Sequence, residues 1–269
     1  MDKKQKVKGI LLAIAAMIVS LVVYRIAGAV IDNFVTNRFL RNLLAELCFA
    51  IMALISVIVL KKTKIFKTDK KFLKSGLSAA GLLYGVIAFQ GFFSLGMLLN
   101  TTASFGEILL FIPFCFLIGF CEEVIYRGLV QNAFHDYFGE DSLGHVWCAL
   151  ICSAIVFGAS HLTNAFRPGG DIASAAVQAF GTMGMAVFLG AIYFRSHKNI
   201  WLLIILHGVF DMVVMIGSGI LAGTDLSALL NNYSANFIGA LFWNVVYILT
   251  SLFLLRPKKV EPLLKKEEE

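Results

Sequence analysis

Eight apolar runs punctuate this chain, at 10–24, 43–60, 77–99, 107–121, 146–157, 172–194, 200–217 and 236–255. Several reach the roughly 20 residues that cross about 30 Å of hydrocarbon as a helix. A soluble domain of 269 residues needs more polar surface than 15% charged residues beside 59% hydrophobic ones can supply. The runs therefore predict an all-α, polytopic membrane bundle of about eight transmembrane helices. Polar residues interrupt or end the fourth and fifth runs, whose wider limits are 107–134 and 146–161.

The net charge of +6 is distributed as topology requires. Eighteen of the 23 Lys and Arg lie in "MDKKQKVK", in "KKTKIFKTDKKFLK" (61–74), in "RSHK" (195–198) and after Leu255. With eight spans and both termini inside, all of these face the cytoplasm, and Arg38, Arg41 and Arg167 are left outside. That is the positive-inside pattern of a multi-pass protein of the plasma membrane. The basic balance thus reports orientation and contact with the lipid bilayer, and it points away from nucleic acid and from any inferable soluble partner. "KKQKVKG" followed by an apolar run and "AGA" looks like a cleavable leader. The run is long for one, however, and Arg25 precedes the small residues, so it reads as a retained first span.

Three segments follow from this layout. Residues 1–75 hold two spans and the basic loop, 76–256 form the membrane core, and 257–269 are a charged tail. No internal repeat emerges. Pro113 is placed to bend the fourth span, and Pro168 with Gly169 and Gly170 marks an external turn. Glycines in "GTMGMAVFLG" (181–190) suit close approach of a neighbouring helix. The five cysteines all lie in apolar runs and read as small core residues; Cys148 and Cys152, one turn apart, lack the second thiol pair of a zinc site.

Ionisable groups inside hydrocarbon are costly and point to function. They are Glu122, Glu123 and Arg127 on the fourth span, His161 at the end of the fifth, and His207 with Asp211 on the seventh. Glu46 and Arg25, near span ends, read as snorkelling to the interface. Glu123 and Arg127, about 40° apart around a helix, can form an ion pair, whereas Glu122 projects elsewhere and is left for another partner. His207 and Asp211 share a face, so the acid can orient the imidazole or both can ligate a metal. Phe157 shares a face with His161 and packs or walls a cavity. Such a set suits water activation. Glu122 can serve as general base with a histidine steadying an oxyanion. Alternatively Glu122, His161 and His207, with Asp211 as a further donor, can hold zinc or another divalent metal whose water attacks.

"EEVIYR" (122–127), "FGASH" (157–161) and "HGVFD" (207–211) resemble, in order and spacing, the signatures of the CAAX prenyl protease and bacteriocin-processing (CPBP, Abi) family of intramembrane proteases. The resemblance covers roughly residues 105–215. It implies catalytic roles for Glu122, His161, His207 and Asp211, with Glu123 and Arg127 supporting. Asp211 stands where relatives often have Asn, which adds a charge beside His207. The implied activity is an intramembrane endopeptidase or metalloendopeptidase, cleaving a membrane-associated peptide or protein. Eukaryotic relatives trim prenylated C-termini; bacterial ones are linked to peptide maturation, bacteriocin immunity and regulation of membrane proteins. A composition rich in Lys, Ile and Phe suggests a bacterium, which argues against prenyl-cysteine substrates. Two other readings stand beside hydrolysis: a non-catalytic adaptor or immunity protein on the same fold, and a proton-coupled transporter, which the lack of repeats disfavours.

Overall fold

The computed structural model describes residues 2–68, 73–167 and 169–264. Residues 69–72 of the basic loop, Pro168 and the tail from 265 lie outside them. The described chain is helical, with no strand, and eight of its helices are long and apolar enough to cross a membrane. It is an integral multi-pass membrane protein. Its outward faces carry bare hydrocarbon, such as Leu11, Ile18, Phe92, Leu99, Phe242 and Phe253.

Two compact units interleave along the chain. The first comprises Met1–Asp69, Gly81–Val130 and Asn199–Gly223; the second comprises Lys70–Ala80, Gln131–Lys198 and Thr224–Glu269. Helices α1 (Lys3–Ile31), α2 (Arg38–Val59), α3 (Leu73–Ala79), α4 (Gly81–Leu99) and α5 (Phe105–Glu122) open the sequence. A π-helical stretch, Glu123–Gln131, extends α5 into α6 (Asn132–Phe138). Then come α7 (Leu143–His161), α8 (Ile172–Arg195), α9 (Ile200–Gly217), α10 (Leu226–Asn231), α11 (Phe237–Leu254) and α12 (Pro257–Val260).

Polar caps at the apolar runs' edges set where the helices begin. Asn37 Oδ1 accepts from the backbone N–H groups of Phe39 and Leu40, Ser142 Oγ from that of His145, and Asn199 Oδ1 from that of Leu202. Ser104 and Glu107 form a reciprocal capping box at α5. Asp171 caps α8, and hydrogen bonds from Ser174 hold its carboxyl below the usual value. This contribution is complete above the ordinary carboxylate range and is lost as acid protonates the cap. Pro113 lies inside α5, which continues through it to Glu122.

In the first unit α1 packs on α2, α2 on α5, and α9 lies against both α5 and α4. The α5–α9 contact is made by glycine. A Cβ on Gly119 would stand 2.8 Å from the Ile204 carbonyl oxygen and 2.9 Å from the Gly208 nitrogen; one on Gly208 would stand 2.7 Å from the Phe116 ring. Ser94 Oγ, 2.8 Å from the carbonyls of Gln90 and Val213, ties α4 to α9. The segment Thr63–Phe66 closes one end. Ile65 packs on Gly128, Phe66 stacks on Phe120, and Trp201 Nε1 donates to the Phe66 carbonyl at 3.1 Å.

In the second unit α8 is the central helix, touched by α7, α11, α3 and α10, and it is buried without a break from Gly184 to Ser196. The glycines do there what close packing requires: Gly184 meets Asn244 of α11, and Gly190 meets Gln131. Asn244 Nδ2 donates to the Phe180 carbonyl at 3.0 Å, and Arg195 Nη1 to the Leu254 carbonyl at 2.8 Å, where it caps α11.

The glycine contact gives a direct test. Gly208→Val forces α5 and α9 apart and lowers stability by about 1–3 kcal/mol, the ordinary cost of overpacking. Gly85→Ala on α4, where an added Cβ meets nothing within 4 Å, leaves stability unchanged or raises it. Thermal unfolding in detergent reads both, and equal losses would contradict the assignment.

Candidate active site

The polar residues of the fourth span lie in a continuous buried helical stretch and include an ion pair. Every residue from Glu123 to Gln131 is buried. A π turn bonds i to i+5 and is wider than an α turn, and nine residues of it exceed the single turn usually inserted into α-helices. The stretch carries Glu123 and Arg127, whose Oε1 and Nη1 are 3.0 Å apart; the two side chains are 0% and 2% exposed. The ion pair read from the spacing is present, fully out of solvent.

Glu122 does not project away from this pair's partner. Both glutamates reach His207 of α9, from opposite edges of the imidazole. Glu123 Oε1 accepts from Nδ1 at 2.6 Å, and Glu122 Oε2 lies 3.6 Å from Nε2. Adjacent residues diverge around the helix, and a ring seated between them has a nitrogen for each. Asp211 Oδ2 is also 3.6 Å from Nε2. The group that fixes the His207 tautomer is therefore Glu123, across the helix contact, while Asp211 shares the Nε2 side with Glu122. Exposure divides the set along the same line: Glu122 is 20% and Asp211 16% exposed, against 5% for His207. Glu122 and Asp211 form the accessible edge; Glu123, Arg127 and the Nδ1 side of His207 form the sealed back.

His161 and Phe157 belong to the second unit. Nδ1 of His161 donates to the Phe157 carbonyl at 3.0 Å, and the two rings meet edge to face at 4.8 Å. A carbonyl only accepts, so the neutral ring carries its proton on Nδ1 and presents the lone pair of Nε2. Phe157, 3% exposed, thus holds the histidine with both ring and backbone. Beside it Gly158 admits α8, since a Cβ there would meet Met183 and, at 2.6 Å, the Ala179 carbonyl.

Two features of the first unit escaped the sequence reading. One is the glycine contact of α5 and α9, for which Gly208 directly after His207 was an available signal. The other is Glu46. It does not snorkel: it is 4% exposed and lies two turns inside α2. The apolar run starts at 43 and suggested an end position. The cap at Asn37, which starts the helix at Arg38, would have shown an interior one. Cys121 Sγ donates to the Glu46 carbonyl at 3.6 Å.

A zinc site needs about four donors gathered around one point. Glu122 and Asp211 flank His207 Nε2, but among the described residues no group of three or more His, Cys, Asp or Glu side chains is disposed to hold a metal ion.

No curated protein and no solved structure matches the chain. Residues 102–213, the stretch from before α5 into α9 that contains all three motifs, match the family model described as type II CAAX prenyl endopeptidase Rce1-like, a family of intramembrane proteases.

Proposed function

We propose that this protein is an intramembrane endopeptidase that hydrolyses a peptide bond in a membrane-associated peptide or protein with water activated by Glu122. One observation carries the reading: a partly accessible carboxylate stands 3.6 Å from an imidazole whose far nitrogen is clamped by a fully buried ion pair. That asymmetry suits proton transfer at one edge of a rigid frame.

In this reading a water at the accessible edge gives a proton to Glu122 as its oxygen attacks the scissile carbonyl. His207 acts as the doubly protonated imidazolium: its Nδ1 proton is held by Glu123, and its Nε2 proton points into the gap between Glu122 and Asp211, where it steadies the developing oxyanion. Glu122 then passes its proton to the departing amine, which leaves a carboxylic acid and a free amino group. Asp211 holds the Nε2 side of His207 from one turn further along α9. Glu123 and Arg127 act by fixing the ring. His161, with its proton fixed at Nδ1, keeps its catalytic assignment on the strength of the motif. The proposed setting is the plasma membrane of a bacterium, on the Lys-, Ile- and Phe-rich composition, with both termini in the cytoplasm, on the distribution of Lys and Arg.

Glu122→Gln removes the base while preserving shape, and it lowers cleavage of a membrane peptide in detergent by about 10²–10⁴-fold with an unchanged thermal midpoint. A Glu122→Gln protein that cleaves at the normal rate would overturn the reading and favour a non-catalytic role.

Arg127→Leu behaves differently. It strands Glu123 in the interior and costs about 3–5 kcal/mol of stability. Arg127→Leu combined with Glu123→Leu regains much of that stability but stays inactive, because His207 loses its Nδ1 partner. Unfolding midpoints and cleavage rates of the single and double variants check this together.

A further inference from the structure

Arg195, the last residue of α8, is 7% exposed, yet among the described residues no carboxylate forms an ion pair with it. Its Nη1 donates to the Leu254 carbonyl at 2.8 Å and its Nη2 to Ser75 Oγ of α3 at 3.3 Å, while Nε has no partner. A guanidinium carries five N–H donors and a full charge, and two neutral oxygens satisfy neither. A second arginine stands beside it. Arg256 Nη1 donates to the Phe253 carbonyl at 2.9 Å, so the two guanidinium groups hold carbonyls of consecutive residues at the end of α11. Arg256 too has no ion pair among the described residues. Lys74 directly precedes Ser75, and Lys258 and Lys259 follow Arg256, all three exposed. Across α3, α11 and the described chain from there to residue 264, the one acid is Glu261. A helix C-terminus attracts a cation. Two cations side by side repel, and an anion between them relieves it.

We infer that Arg195 and Arg256, at the joined ends of α8 and α11, form a phosphate site filled by the headgroup of an anionic phospholipid. A phosphate diester offers charged oxygens to a pair of guanidinium groups, the match for which arginine is best suited. The flanking residues show why that phosphate comes attached to acyl chains. Leu252 and Phe253, in the last turn of α11, are 52% and 62% exposed, and the Arg256 guanidinium lies over the Phe253 ring at 3.9 Å. Bare hydrocarbon and paired cations thus meet within one turn, in the order in which a phospholipid carries its tails and its phosphate. The end concerned is the one proposed to face the cytoplasm, where the leaflet is rich in anionic lipid and basic pockets between helices bind its headgroups. The site lies within the second unit and does not depend on the role of Glu122.

The test takes the full-length protein in a neutral detergent and adds dioleoylphosphatidylglycerol, dioleoylphosphatidylcholine or sodium phosphate at matched ionic strength. Thermal midpoints and native mass spectrometry read binding. Phosphatidylglycerol should raise the midpoint and stay bound in the spectrometer; phosphatidylcholine and sodium phosphate should do neither. Arg256→Gln removes a half-buried side chain that bonds only its own turn, so it should keep the lipid-free midpoint. It should weaken phosphatidylglycerol binding about fivefold, the worth of one basic residue near an anionic surface. Lys4→Gln, an equal loss of charge at an exposed position in the first unit, should leave that binding unchanged. Equal weakening by the two variants would refute the site and leave only diffuse surface charge. A midpoint raised by sodium phosphate as much as by phosphatidylglycerol would overturn the lipid as the source of the phosphate. Equal binding of the two lipids would overturn the selection for net charge. If Arg256→Gln fails to fold, the unaltered protein decides: phosphatidylglycerol retained in preference to phosphatidylcholine upholds the site, and none retained refutes it.

Discussion

A close approach of two helix backbones sets what the site can be. Gly119 and Gly208 face each other across α5 and α9 with no room for a methyl group. Glu122 and Glu123 follow Gly119 within about one turn, and His207 directly precedes Gly208. A glutamate side chain reaches only a few ångströms, so two of them can grip one imidazole only where the helices nearly touch. In hydrocarbon no hydrophobic effect drives helices together; small residues and interhelical hydrogen bonds do it instead. Here both devices occupy the same place. The contact that assembles the bundle is also the contact that assembles the site.

The same economy accounts for the internal salt bridge. Arg127 and Glu123 would each be prohibitive alone in lipid, and paired they still leave a carboxylate to spend on His207. Glu123 therefore has two partners, a cation along its own helix and an imidazole on the next. Wide π turns accommodate this better than α turns, because the i+4 and i+5 residues both come alongside. Ile65, packed on Gly128, and Phe66, stacked on Phe120, cover the same stretch, so the most polar part of the span is among the best sealed.

Much of this was legible in the sequence. Apolar run length gave the all-α membrane fold and the number of spans, because hydrocarbon thickness fixes helix length. The Glu123–Arg127 pair followed from a spacing of four. What could not be read was the third dimension. Spacing shows which residues of one helix share a face but not which helix that face meets, so Glu122 and Glu123 looked divergent when they straddle one ring. Asp211 looked like the obvious orienter of His207 because it is local; the actual one is 84 residues away in sequence. Glu46 was misjudged by a helix start set at the apolar run rather than at the Asn37 cap. Each motif also carries a glycine at a close contact beside it, Gly119, Gly158 and Gly208, and these read as filler until the neighbouring backbone is known.

The two histidines are fixed by one device with different partners, and the difference has chemical content. His161 gives its Nδ1 proton to a neutral backbone carbonyl one turn back on its own helix. His207 gives its own to a buried carboxylate that is itself held by an arginine. Both rings thereby present Nε2. A carbonyl places only a dipole beside the ring, whereas a carboxylate places a charge there. An imidazole backed by a dipole is suited to offering a lone pair; one backed by a carboxylate, and faced by two more, is suited to carrying a proton and pointing it at an oxyanion. The protein thus obtains two electrostatically distinct groups from one residue type by choosing what stands behind each ring.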